Sequence, residues 1–187
     1  MYAKNDNGLV RSMVKLLAPA DLANAAYLVR EGKDKDEMYV FLPALNRTRR
    51  ITGASADGPL FGTDLSYSDI KQVQNAFSGG PVHLEKPETL DGRATQVLSM
   101  VPRAATQSRY NLIKGWVDQA SCVARKVEFY EGATARKRLS VAPATLKQSG
   151  KRWYAGEAEM RDLKDNTHTT LKVNGVNDDD KLSDSYF

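Results

Sequence analysis

Short runs of β-branched and aromatic residues, cut by clusters of Gly, Pro, Asn and Asp, dominate the chain, and that spacing belongs to an antiparallel meander. Alternation of apolar and polar positions predicts strands at Leu9 to Leu17, Leu22 to Arg30, Glu37 to Leu42, Arg47 to Thr52 and Ala94 to Val101. Further strands are predicted at Leu112 to Gln119, Val123 to Glu131, Ala135 to Lys147, Lys151 to Arg161 and His168 to Val176. Gly132 and Gly150 fall where a hairpin turn needs positive φ, and Asp165-Asn166 tolerates it. The C-terminal half therefore reads as consecutive hairpins. Between Gly53 and Thr95 the pattern loosens around one short helix, Ser66 to Phe77, with Ser66 and Ser68 as cap residues. This crossover is long enough to cover one face of a sheet.

The fold class is mainly β with few short helices, an α+β chain in which about ten strands form one curled antiparallel sheet. One weak helix cannot bury the apolar face of so many strands. Either the sheet curls into a barrel or half-barrel whose inner face is its own core, or a helix outside this sequence closes it. A curled sheet of that size has room for an apolar cavity. No repeat, linker or domain boundary is visible, and 187 residues suit one domain.

Composition narrows the function classes. Apolar residues at 41% and charged residues at 27% are ordinary for a globular chain. The net charge of +4 is spread among interspersed acids and bases, unlike the concentrated basic stripe of a strong nucleic-acid binder. No window approaches the roughly 18 uninterrupted apolar residues of a membrane-spanning helix. Met1 to Gly8 is largely polar and lacks a leader pattern. Cys122 stands alone, so it forms no internal disulfide and reads as a small apolar strand residue.

Catalytic constellations are poorly supplied. His83 and His168 have no metal-ligand spacing to Cys122 or to each other and read as surface residues near turns. No G-x-S-x-G elbow is present, and Gly53, Gly58 and Gly62 do not form a phosphate loop between strand and helix. Glu157 and Glu159 resemble a carboxylate pair, but alternation puts them on the solvent side opposite Tyr154, Ala158 and Met160. The chain is expected to be no enzyme, with no cofactor and no metal.

Arg47, Arg49 and Arg50 follow the turn Pro43-Ala44-Leu45-Asn46, with Arg47 and Arg49 on the face of Ile51 and Arg50 opposite. Two readings are open. The guanidiniums pair with acids such as Asp64 or Asp69, or blunt an edge strand; or they contact an anion at a cavity mouth, a lipid phosphate or a partner's carboxylate.

The stretch from Met38-Tyr39-Val40-Phe41-Leu42-Pro43-Ala44-Leu45-Asn46 through Arg47-Thr48-Arg49-Arg50-Ile51 resembles the "YLPALKRVRRI" segment of the LolA-like outer-membrane lipoprotein-sorting family. At the expected distance, Phe61-Gly62-Thr63-Asp64-Leu65-Ser66-Tyr67-Ser68-Asp69-Ile70 is similar to that family's "FMGSDFSYEDL". Further matches lie at Leu16 to Asp21, Trp116-Val117-Asp118, Lys126 to Tyr130 and the closing Leu182-Ser183-Asp184-Ser185-Tyr186-Phe187. The resemblance implies a single carrier domain over residues 1–187, a curled antiparallel sheet around an apolar cavity that receives acyl chains of lipoproteins or other lipids. It implies a periplasmic, non-catalytic carrier toward the outer membrane. The alternative it implies is an accessory subunit of an RND-type lipid exporter, so an inner-membrane exporter or an outer-membrane acceptor is the expected partner, and nucleic acid is not. Family members begin with a signal peptide, a helix and early strands that would precede Leu9, and the chain is expected to lack them as a fragment or shortened member. Asn24 stands where the family usually has glycine, which relaxes a close backbone approach expected there.

Strand alternation supplies the cavity residues: Leu28, Phe41, Ile51, Leu98, Met100, Val127, Phe129, Leu139 and Met160, the apolar members of strands whose other face is polar. Methionine suits a variable ligand because its side chain adapts. The same residues would equally build a filled core.

Overall fold

The computed structural model describes residues 1–32, 36–74, 77, 80–102, 108–177 and 182–187. The predicted acidic turn Asn177 to Asp180 lies largely outside them. Contacts divide the chain into two compact units, the first built from Met1–Gly58 with Asp179–Phe187, the second from Pro59–Ala104 with Ser108–Asp178.

The first unit holds a five-stranded antiparallel sheet in the order β1 (Tyr2–Asp6), β2 (Leu9–Lys15), β3 (Ala26–Arg30), β4 (Glu37–Leu42), β5 (Arg47–Ile51). Apolar alternation does not reveal β1, because Lys4, Asn5 and Asp6 are polar and Tyr2 and Ala3 are adjacent. Its signal is Asn7-Gly8, both at positive φ (53° and 82°), the pair that a two-residue hairpin turn demands. Tyr27, Val29 and Val40 are buried and share one face by alternation and register. β3 starts only at Ala26, later than predicted, because the chain turns before it and Asn24 sits at φ 70°. That explains the glycine expected there: the position needs a left-handed backbone, which Asn tolerates, and not a close approach.

The second unit holds an eight-stranded sheet. Its path is β15 (Thr167–Lys172), β14 (Glu157–Asp162), β11 (Thr134–Ser140), β10 (Ala124–Glu131), β9 (Leu112–Asp118), β8 (Arg93–Met100), β6 (Val82–Leu84), with β7 (Glu88–Leu90) also on β8. β12 (Leu146–Ser149) and β13 (Arg152–Ala155) form a separate two-stranded ribbon. Two predicted long strands therefore break. Pro143 opens a 3-10 turn between β11 and β12, since it lacks the N–H a ladder needs. Gly156 separates β13 from β14, where an added Cβ would come 2.7 Å from the Thr145 carbonyl oxygen. β6 and β7 leave no strand pattern in the sequence because Pro81 and Pro87 interrupt a short polar run. Cys122 is exposed at φ 57°, in a turn after β9 and not on a strand as expected.

The helix α1 (Tyr67–Gln74) starts where predicted. Ser66 Oγ accepts from the Asp69 backbone N–H (3.1 Å) and Asp69 Oδ2 accepts from the Ser66 N–H (2.8 Å). This reciprocal cap satisfies two donors that a helix start leaves orphaned. The mainly antiparallel β class stands, with the strands of the described residues distributed over three sheets.

Candidate ligand-binding face

Register places six of the predicted cavity residues on one face of the eight-stranded sheet. Leu98 pairs with Gly115, Gly115 with Val127, Val127 with Leu139, and Leu139 with Met160. In the next row Met100 pairs with Ile113, Ile113 with Phe129, and Phe129 with Lys137. Directly paired residues project to the same side, so one row crosses five strands and a second beside it crosses three before it meets Lys137. Leu98 is half-buried, while Met100, Val127, Phe129, Leu139 and Met160 are buried.

Gly115 is the gap in the first row. The Phe77 ring fills it, lying 2.2 Å from where a Cβ would stand. Tyr110 packs on Phe129 with ring centroids 5.1 Å apart. The second row ends in charge: Lys137 Nζ donates to Asp69 Oδ2 and to the Asp64 carbonyl, both at 2.7 Å. Tyr110 Oη donates to Asp69 Oδ1 at 3.0 Å. Lys137 and Asp69 are both buried, so each charge is compensated at contact distance and the ion pair fixes the start of α1 to β11. Asp64 accepts from the Thr167 and Thr169 hydroxyls of β15. Burial pushes its carboxyl up, but these hydroxyl bonds and the charge of Lys137 together hold it below the usual range.

The reverse face of the same sheet is rich in charge. Lys126 Nζ stands 3.3 Å from the centroid of the Trp116 ring, and Trp116 Nε1 donates to Glu88 Oε2 at 2.7 Å. Burial and its hydrogen bond to Glu128 push the Tyr130 hydroxyl up to about 12. Glu159 pairs with Arg161 at 2.9 Å and Glu157 with Lys172 at 3.5 Å, opposite the Met160 face by alternation. They are ion-paired residues of the outer side. His83 and His168 are exposed, the surface positions expected of them.

The other three predicted residues lie in the first unit and do not share one face. Leu28 and Phe41 are half-buried on the side opposite Tyr27, Val29 and Val40, whereas Ile51 pairs with Met38 on the buried side. Arg47, Arg49 and Arg50 are exposed on β5, an end strand of that sheet. Arg50 pairs with Glu37 at 3.7 Å and stands 6.0 Å over the Tyr39 ring. Asp64 and Asp69, suggested as arginine partners, are committed instead to Thr167 and Thr169 and to Lys137 and Tyr110. A pocket of about 260 Å³ at the turn ends of β10, β11 and β14 is lined by Glu131, Thr134, Ala135, Arg136, Leu163 and Lys164. It holds none of the predicted residues. The sequence pattern does not single out Phe77, Gly115, Tyr110 or Lys137 as parts of this face. The Ser66-x-x-Asp69 spacing and a lysine at an inward position of β11 are the available signals.

Among the described residues, antiparallel sheets of this order with a short helix tied to the apolar face make a LolA-like fold. Solved structures with the same fold include a domain described as a candidate outer membrane lipoprotein-sorting protein from Vibrio parahaemolyticus. It has a TM-score of 0.83 and 24% identity over 95% of this chain and 74% of that one. A DUF1329 family protein from Desulfovibrio piger has a TM-score of 0.90 and 24% identity over 100% of this chain and 79% of its own. A LolA superfamily protein from Nitrosomonas europaea has a TM-score of 0.64 and 20% identity over 95% and 78%. No curated protein matches the sequence. The chain belongs to a family described only as "Uncharacterized protein", whose model matches residues 8–187.

Proposed function

We propose that this protein is a non-catalytic periplasmic carrier that binds acyl chains of lipoproteins or other lipids on the apolar face of its eight-stranded sheet and carries them toward the outer membrane. The observation that carries the reading is the pair of cross-strand rows, Leu98, Val127, Leu139, Met160 beside Met100 and Phe129, in a LolA-like fold. A carrier of flexible chains needs a mostly apolar surface with few polar groups along it, and two methionines give that surface adaptable walls. Phe77, seated on the bare backbone of Gly115, occupies in this reading the space an acyl chain would take.

The test is mass spectrometry of lipid extracted from natively purified protein, followed by titration with a fluorescent fatty-acyl probe. Acyl species in the extract, and weakened probe uptake in Leu98→Gln, are the expected outcome. Leu98 is half-buried, and unchanged thermal unfolding checks that the variant folds. An empty extract and no probe uptake would sink the carrier reading.

The exposed arginines of β5 favour a second reading, an accessory subunit that docks on an RND-type exporter. Exposed charges on an edge strand steer and select a partner more than they add affinity. In the same preparation, charge reversal at Arg47 and Arg49 should reduce exporter capture while leaving acyl uptake unchanged.

A further inference from the structure

The ribbon of β12 and β13 stands outside the eight-stranded sheet, and its register sorts the side chains onto two faces. Leu146 pairs with Ala155 and Gln148 with Trp153 on one face; Lys147 pairs with Tyr154 and Ser149 with Arg152 on the other. Gln148 and Trp153 are exposed on the first face, Lys147 and Arg152 on the second. Side chains open to water on both faces mean that the ribbon is not sandwiched and projects as a convex hairpin. Gly150, at φ 56°, supplies the left-handed residue that its two-residue turn needs. Trp153 is 43% exposed, and its indole N–H has no partner among the described residues.

The charge on the ribbon is of one sign, and every nearby group is accounted for. No acid lies between Glu131 and Glu157, a stretch with six cations. Three of these, Arg136, Lys137 and Arg138, belong to β11 and are taken by Asp162, Asp69 and Glu128. Glu157, the first acid after the ribbon, is taken by Lys172. Arg152 has a contact of its own and is not free. Lys147 and Lys151 are exposed and make no ion pair among the described residues. Two free ammonium groups therefore accompany an exposed indole with a free N–H.

We propose that the β12–β13 hairpin docks the protein on an anionic phospholipid bilayer, with Trp153 at the level of the headgroups and Lys147 and Lys151 against their phosphates. An indole is apolar in its ring and polar at its N–H, so tryptophan settles at the boundary between lipid and water. Lysines beside it gain from the negative surface potential of such a membrane. A peptide partner fits less well, because it needs a groove or an open strand edge. A convex hairpin is not a groove, and lysines on an edge oppose the addition of a strand. Two lysines and one indole make a weak contact that salt reverses. The acyl rows take no part in this docking, so either proposal can fail without the other.

The experiment is co-sedimentation of the full chain with vesicles of phosphatidylglycerol and phosphatidylcholine in equal parts, with tryptophan emission read in the same samples. The chain has two tryptophans and Trp116 is buried, so a lipid-dependent blue shift reports on Trp153. Binding to these vesicles, emission at shorter wavelength and quenching by lipid spin-labelled near the headgroup are the expected results. Trp153→Ser should abolish the shift. Lys147→Gln and Lys151→Gln should each weaken binding about fivefold, the contribution of one cation at such a surface. Leu98→Gln, directed at acyl uptake, should leave vesicle binding unchanged. All substituted side chains are at least partly exposed, and unchanged thermal unfolding checks that the variants fold. No sedimentation with the anionic vesicles, equal sedimentation with pure phosphatidylcholine, or a shift that survives in Trp153→Ser overturns the proposal. Binding indifferent to both lysine substitutions overturns it too. A dimer of the unaltered chain that Trp153→Ser abolishes would assign the hairpin to a second copy and overturn it as well.

Discussion

Lys137 sits where strand alternation calls for an apolar side chain, in the row of Met100, Ile113 and Phe129. A buried ammonium there is tolerable only because Asp69 and the Asp64 carbonyl meet it at 2.7 Å. Removing one partner leaves the other charge buried and alone, which costs about 3–5 kcal/mol, whereas replacing both by apolar groups of similar size is often near neutral. Asp69→Ala should accordingly lower the urea midpoint strongly. The double variant Asp69→Leu with Lys137→Met should recover most of the loss. Equal loss in both would show that the cap geometry at Ser66, and not the ion pair, fixes α1.

Among elements, the informative junction is where the chain beyond α1 meets β9. Phe77 lies against Gly115 so closely that a Cβ would stand 2.2 Å from the ring. Gly115→Ala must displace the ring, and overpacking of this kind costs about 1–3 kcal/mol. Since the clash exists only while Phe77 stays seated, Gly115→Ala combined with Phe77→Ala should cost less than the two single changes summed. Chemical denaturation of the four proteins measures that coupling, and strict additivity would mean the two residues do not share one space. Elements also show where local pattern misleads. The strands Glu37–Leu42 and Leu112–Asp118 match their predicted spans nearly to the residue because alternation is regular there. β1 is hidden from that pattern because an end strand facing solvent needs few apolar residues, although Asn7-Gly8 marks its turn.

At the level of the whole molecule, acid stability follows from carboxyls held low in the folded state. Asp118 is the strongest case: a hydrogen bond from Arg93 drives its carboxyl far below its ordinary value of 3.8, with the Ser121 N–H and hydroxyl assisting against burial. Burial raises Asp64 and Glu128, but their hydrogen bonds and neighbouring cations outweigh it and leave both lowered. A depressed folded-state value means the unfolded chain binds protons first as pH falls. The stabilisation is complete above the ordinary values of 3.8 and 4.5 and is lost progressively below them. Unfolding monitored by circular dichroism from about pH 7 to about pH 2 should show that decline, and Asp118→Asn should flatten it while lowering stability near neutral pH. An undiminished slope in that variant would refute the assignment to Asp118.

The sequence by itself determined the antiparallel β class, most strand positions, the turns at Gly132, Gly150 and Asn166, and the cap at Ser66, because each is set by residues within a few positions of one another. It also picked six side chains that share one face, since alternation fixes the side of a strand once the register is regular. Tertiary structure alone decided that Ile51 faces away from Leu28 and Phe41. It alone paired Asp69 with Lys137 and seated Phe77 on Gly115. Those contacts join residues far apart in the chain, and only the order and register of strands bring them within reach.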